Sequence, residues 1–250
     1  MTARPSDRRP PASTALVIFA KAPIPGHVKT RLCPVLTEDE AATLHGSFVL
    51  DTLERTKAAV AKFKLPVDRY LACAPSSTHV FFRIMEARHG VTLLDQEGED
   101  LGRRMQQAFA ALFARGYRQV CLVGTDVPSL PLTHYRDAVE SLARHDLVLG
   151  PAQDGGYYLI GMTTPHPRLF EGIPWSTDQV SALTQQKAKA SGLNLALLPI
   201  WRDVDTVDDL QHLIVDCAAD KTRPKQERVY SMRTAGALEL LAKRLRTRQP

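Results

Sequence analysis

The run Ala15–Ala20, ALVIFA, is apolar at every position and stops at Lys21, in a loop that reads KAPIPGHVKTRL. A strand with one wet face alternates apolar and polar residues, so a run apolar throughout must be covered on both faces. In a chain of 250 residues this demands a largely parallel sheet with helices on either side. Further strand-length apolar runs fall at Tyr70–Ala74, Val91–Leu94, Val120–Gly124, Leu147–Leu149, Tyr157–Met162 and Leu195–Leu198. Helical stripes separate most of them, such as Leu44, Phe48, Val49 and Leu53, then Leu101, Met105, Ala108 and Leu112, then Tyr135, Ala138, Val139 and Leu142. Thr37-Glu-Asp-Glu40 and Thr206-Val-Asp-Asp209 have the spacing of capping boxes, and Ser176-Thr-Asp-Gln179 is read as a third helix start. The pattern predicts one α/β domain over residues 14–217, its central sheet mostly parallel with helices on both faces. Residues 1–13 read as a disordered, Pro- and Arg-rich tail, and residues 218–250 as a basic tail carrying a helix over Thr234–Thr247.

The net charge of +5 is unevenly placed. Residues 218–250 hold nine Lys/Arg against three Asp/Glu, and residues 1–10 hold three arginines against one aspartate, which leaves the body slightly acidic. A nucleic-acid-binding domain wears its positive charge on the fold, so that class of partner is not expected. Cys33, Cys73, Cys121 and Cys217 form no CxxC, and the eight histidines form no HExxH, so a zinc site is not expected either. No apolar run is long enough to span a bilayer, and none follows the N-terminal arginines as a signal core would. The expected location is cytoplasmic.

The chemistry is concentrated where strands end. In open α/β sheets, ligands bind beyond the carboxyl ends of the strands. The loop after the first strand gathers Lys21, Lys29 and Arg31 with no acid, and Pro23, Pro25 and Gly26 bend it. Three like charges on a constrained loop repel one another. Their presence points to an anion such as a di- or triphosphate, which arginine grips in a bidentate manner and lysine as a point charge. The loop is neither a Walker A sequence nor a GxGxxG fingerprint. After the fourth strand stands Gly124-Thr-Asp126-Val-Pro128, where Asp126 either caps the turn or holds a divalent cation. Asp154-Gly155-Gly156-Tyr157-Tyr158 follows the fifth strand. Its glycines allow a tight reversal or close approach to a ligand, and of its two tyrosines at most one faces the site. Last, Asp203-Val-Asp205-Thr206 precedes a helix; the two aspartates share one side of an extended segment.

The stretches FAKAPIPGHVKTRL, GTDVPSL, DGGYYLIG, PWSTDQV and DVDTVDDL, in that order, resemble the DUF2064 group of the GT-A-fold nucleotide-diphospho-sugar transferase superfamily over about Ala15 to Leu213. More distantly the chain is similar to 2-phospholactate guanylyltransferase-like nucleotidyltransferases. The resemblance implies a Rossmann-like GT-A domain and a transferase that uses a nucleotide-activated donor, most simply a nucleotide sugar, with a small-molecule acceptor. It implies that Ala20, Lys21, Pro25, Gly26, Lys29, Thr30, Arg31 and Thr125 hold the nucleotide and its phosphates. Gly155, Gly156, Tyr157, Trp175, Ser176 and Thr177 would line the acceptor side. Asp126 and Asp154 would be catalytic, and Asp126, Asp203 and Asp205 would hold Mg2+ or Mn2+. GT-A enzymes carry DxD, whereas Pro128 stands here in place of the second carboxylate, so metal binding needs Asp154, Asp203 or Asp205. Nucleotidyl transfer from an NTP remains the alternative activity, and a non-catalytic nucleotide-binding protein a third.

Overall fold

The computed structural model describes residues 12–247. The expected disordered segment falls almost wholly outside them. Within them Ala12 and Ser13 are already tied down: the Ala12 amide donates to Asp68, and the Ser13 carbonyl accepts from the Arg118 and Gln119 amides.

Seven strands form one sheet in the order β3-β2-β1-β4-β6-β5-β7. They are β1 (Thr14–Lys21), β2 (Val67–Ala74), β3 (Thr92–Asp95), β4 (Gln119–Gly124), β5 (Leu147–Pro151), β6 (Tyr157–Met162) and β7 (Leu195–Leu197). The helices are α1 (Glu38–Phe63), α2 (Val80–His89), α3 (Leu101–Ala114), α4 (Leu132–Ser141), α5 (Val180–Ala190), α6 (Val207–Asp220) and α7 (Met232–Thr247). Every pairing is parallel except those of β6, which runs against both β4 and β5. The reason is the short link between β5 and β6. It holds no helix, and a parallel crossover needs a dozen or more residues, so the chain must turn back on itself.

β1 is buried on both faces, as its composition requires. Leu16 and Ile18 pack with Val49, Leu53, Phe82 and Tyr135 beneath α1, α2 and α4. Ala15 and Val17 pack with Met105, Phe109 and Leu112 of α3 on the opposite face. The capping boxes at Thr37–Glu40 and Thr206–Asp209 both form. The third helix start does not: α5 begins at Val180 with Gln179 as an N-cap that makes no side-chain cap bond. Residues 176–179 instead form a turn in which the Thr177 hydroxyl donates to the Pro174 carbonyl. All four cysteines are free, and Cys73, Cys121 and Cys217 are buried.

The expected boundary at residue 217 lies inside α6, and α7 folds back onto the body. Leu238 and Leu241 of α7 join Leu44 and Phe48 of α1 and Leu210 and Leu213 of α6 in a third apolar cluster. Among the described residues, no helix is long and apolar enough to cross a membrane.

The parallel strands β1 and β4 sit side by side; from β1 the order steps outward to β2 and β3, from β4 in the other direction. That arrangement is the topological switch point at which α/β sheets open a ligand crevice.

Candidate functional site

A cleft of about 650 Å³ opens at the carboxyl ends of β1 and β4. One wall is the loop after β1, the floor is the turn after β4, and the far wall comes from the β5–β6 turn and the segment before α6. An isolated parallel bridge between Ala152 and Trp201 carries that last segment alongside the β5–β6 turn. The Gln153 amide donates to the Trp201 carbonyl there, which brings Asp203 up against Asp154. Asp205 is fixed from the helix side, because its amide and that of Thr206 both donate to Asp209 in the α6 cap.

Asp154, Asp203 and Asp205 each offer one oxygen, and these oxygens lie within 4.8 Å of one another. Asp154 is exposed, Asp203 buried and Asp205 between the two. Burial, then the charges of Asp154 and Asp205, push the Asp203 carboxyl up to about 7. Three hard carboxylates converging on one point suit Mg2+ or Mn2+ rather than a softer metal.

Asp126 is not in that trio. Its Oδ1 lies 2.5 Å from the ammonium of Lys29, which also meets Asp205 Oδ1 at 2.7 Å and the Val204 carbonyl at 2.7 Å. Burial works against the Lys29 charge, yet Asp126 and Asp205 outweigh it and hold its pKa above the ordinary value. Burial likewise disfavours the Asp126 carboxylate, but Lys29, then His45, pulls it below the usual range. The expectation of three uncompensated cations is therefore corrected for Lys29, whose side chain is only 4% exposed. Lys21 and Arg31 are exposed and line the cleft, with no ion pair to either among the described residues.

Ala20, Thr30, Thr125, Gly156, Tyr157, Trp175, Ser176 and Thr177 line the cleft, whereas Pro25, Gly26 and Gly155 do not. Gly155 has a structural task instead: its φ is +89°, and a Cβ there would sit 2.1 Å from the Asp178 carbonyl oxygen. Its carbonyl accepts the Ser181 amide, so the β5–β6 turn is braced on the start of α5. Asp154 Oδ1 accepts the Gly156 amide at 2.7 Å within the same turn. Tyr158 points into the core, where its hydroxyl meets His134 and the Pro199 carbonyl. Trp175 is wedged between Tyr157 and Phe170, and it fills the space over Gly102, where a Cβ would lie 2.4 Å from its ring. Ser176 beside it is held at φ 66°, a left-handed conformation that side chains other than glycine adopt at a cost.

Among the cleft residues not singled out from the sequence are Gln96, His45 and Arg104, along with His27, Glu99 and Asp100. Gln96 follows β3, and the same strand-end rule that flagged the other loops would have found it. Its amide nitrogen donates to two carbonyls, those of Ala20 and Ala72, which turns its oxygen away from the backbone. His45 lies on the buried face of α1 and carries no pattern that separates it from a core residue. Its Nε2 faces the Lys21 carbonyl at 3.0 Å and so bears the hydrogen, while burial keeps the ring neutral. Arg104 donates to the Gly98 carbonyl.

The model of the DUF2064 family, described as an uncharacterized protein conserved in bacteria, matches residues 57–177. A solved structure from Desulfovibrio desulfuricans G20, a candidate nucleotide-diphospho-sugar transferase, is 32% identical with a TM-score of 0.79, covering 94% of this chain and 98% of that one. The chain belongs to the same family as that candidate nucleotide-diphospho-sugar transferase. The family match includes Asp126, Asp154 and Trp175 but stops short of both the β1 loop and Asp203. The 2-phospho-L-lactate guanylyltransferase of Methanothermobacter thermautotrophicus is 28% identical over 195 residues, 76% of this chain and 79% of that protein. A cytidylyltransferase from Leptospira borgpetersenii shares the fold at 15% identity and a TM-score of 0.51, covering 96% of this chain and 98% of that one. The DUF2064 chain thus has the fold of nucleotidyl and nucleotide-sugar transferases.

Proposed function

We propose that this chain is a metal-dependent transferase that takes a nucleotide-activated donor and moves a sugar from a nucleotide-diphosphate sugar to a small-molecule acceptor. The carrying observation is the opposition, across one switch-point cleft, of the Asp154–Asp203–Asp205 cluster and the exposed cations Lys21 and Arg31. A diphosphate entering the cleft would be attracted by Lys21, Arg31 and Arg104 and repelled by the acids that line it, Asp154, Asp203 and Asp205 together with Glu99 and Asp100. Unit charges 4 Å apart interact by about 4 kcal/mol at an effective dielectric near 20, so the acids alone would exclude it. A divalent cation held by Asp203, Asp205 and Asp154 reverses that balance. When bound, it supplies charge neutralisation for the departing diphosphate. Lys21 and Arg31 grip the phosphate oxygens from the other side. In this reading Asp154, the exposed member, would either contact the acceptor while it helps hold the cation or, if it is free of the cation, act as the general base, with Tyr157, Trp175, Ser176 and Thr177 forming the wall next to it.

The 28% identity to a guanylyltransferase favours a second reading, nucleotidyl transfer with release of pyrophosphate from an NTP. Incubating the protein with Mn2+, a panel of nucleotide sugars and a panel of NTPs separates the two. Release of a nucleoside diphosphate from a nucleotide sugar is the expected result. Pyrophosphate release from an NTP alone would move the assignment to nucleotidyl transfer, and turnover of neither would leave a nucleotide-binding protein.

A further inference from the structure

A lysine ammonium has three N–H donors and accepts nothing. Lys29 donates hydrogen bonds to Asp205 Oδ1 and the Val204 carbonyl, both at 2.7 Å, and its ammonium stands 2.5 Å from Asp126 Oδ1 in an ion-pair contact. A phosphate reaching for this ammonium would have to expel a carboxylate already in contact, exchanging one anion for another. We infer that Lys29 is a positioning residue, the internal counter-ion that fixes Asp126 and Asp205 at the cleft floor, and that donor phosphates are left to Lys21 and Arg31. The inference rests on the transferase reading above and assigns a different task to one of its cations.

Four further observations support it. The three partners come from two segments remote from Lys29 in sequence, the turn after β4 and the stretch before α6, so one side chain ties three loops together. Those two segments also meet directly, through the Val204 amide and the Asp126 carbonyl. Lys29 has φ 49° and ψ 34°, a left-handed conformation that persists outside glycine only where surrounding contacts over-determine it. Its ammonium also lies 5.9 Å from the centre of the Phe48 ring, so a core side chain of α1 closes the pocket around it. Lys21 and Arg31, by contrast, stand exposed on the cleft wall.

Holding Asp205 from one side leaves its carboxylate turned toward Asp154 and Asp203, within the 4.8 Å cluster. Partners that orient metal ligands in this way typically change metal affinity by about 10–100-fold when removed. Removing the buried Lys29 charge also strips two partly exposed carboxylates, Asp126 and Asp205, of compensation.

The test compares Lys29→Met with the Lys21→Ala/Arg31→Ala double variant in three measurements. They are the Tm of the metal-free protein, Mn2+ affinity without nucleotide, and the ratio of UDP to uridine and GDP to guanosine affinities in chelator. Lys29→Met is expected to lower Tm by several degrees, less than for a fully buried pair because both carboxylates are partly exposed, to weaken Mn2+ binding about ten-fold or more, and to leave the diphosphate preference intact. The double variant is expected to lose the preference while keeping Tm and Mn2+ affinity. If Lys29→Met does not fold, Lys29→Met with Asp126→Asn removes charge from both partners and is read by the same Mn2+ and ratio measurements. Unchanged Mn2+ affinity with a lost diphosphate preference, in either Lys29 variant, overturns the positioning role. A wild type that prefers no diphosphate over its nucleoside sinks the transferase reading instead, and the Tm and Mn2+ losses of Lys29→Met still decide the role of Lys29.

Discussion

Asp51 on α1 and Asp203 in the cleft are both buried, and burial raises the pKa of both above the ordinary carboxylate value. Their surroundings differ. Asp51 is met by the Thr234 hydroxyl at 2.6 Å and by Arg233 at 3.0 Å, both from α7, and Arg233 also pairs with Glu54. Asp203 is met by two more acids. The α1–α7 interface pairs its acids within the chain, whereas the acids gathered in the cleft outnumber the cation in direct contact with them, Lys29. The same contrast runs through the basic residues. Two basic residues of α7 are tied to α1, Arg233 to Asp51 and Glu54 and Arg244 to Glu40, while Lys21 and Arg31 are exposed on the cleft wall. A self-satisfied charge builds the fold, and an unsatisfied one marks where a ligand belongs.

Breaking the α1–α7 interface should have the largest effect. Deleting residues 232–250 uncovers the Leu44, Phe48, Leu210 and Leu213 face and leaves Asp51 without Arg233 and Thr234. Burial of Leu238 and Leu241 contributes about 1.5–3 kcal/mol each, and the orphaned carboxylate adds to the loss. Thermal denaturation should show a Tm lower by roughly 10–20 °C for a total near 5 kcal/mol. A truncated protein that melts like the full chain would mean α7 is an ornament on a complete domain.

A matched pair of smaller changes sharpens the contrast. Arg31→Ala should leave the ligand-free Tm unchanged and weaken nucleoside diphosphate binding by roughly 1.5–3 kcal/mol, the scale of a charge-assisted hydrogen bond. Arg233→Ala should do the reverse, costing about 1–2 kcal/mol of stability because Arg233 is itself partly exposed, with no change in diphosphate affinity. Equal effects of the two variants on melting would erase the distinction between the regions.

The mildest effect is a slope. An unfolded Asp203 ionises near 3.8, whereas in the fold it holds its proton to about 7. Between those values the folded state binds more protons than the unfolded one, so this residue makes stability fall as pH rises, with the loss complete above about 7. The Tm difference between wild type and Asp203→Asn should therefore move in favour of the variant from pH 5 to pH 8, and added Mn2+ should stabilise the wild type most at the upper end. A difference flat with pH would mean that the three acids do not press on one another.

Much of this was legible in the residues. The all-apolar β1, the capping boxes at Thr37 and Thr206 and the polar clusters at strand ends fix local structure, and local structure leaves local marks. What depended on long-range pairing was not legible. Nothing near Lys29 in sequence announces Asp126 or Asp205, and nothing near Asp51 announces Arg233 on α7. The antiparallel run of β6 follows from the length of one short link, a signal that was present but weighed only as a glycine turn. The sequence leaves open a tight reversal or a close ligand approach at Gly155, and its φ of +89° with the nearness of Asp178 favours the reversal.

The central claim is that the cleft becomes complete only with a divalent cation and a nucleotide diphosphate together. Calorimetric titration of UDP and GDP into the full chain, in Mn2+ and in chelator, tests it directly when repeated with Asp203→Asn. At least one diphosphate should bind distinctly more tightly in Mn2+ than in chelator, and Asp203→Asn should erase most of that gain while leaving the weaker metal-free binding in place. Identical affinities with and without Mn2+ in the wild type, or a gain that survives Asp203→Asn, would contradict the account.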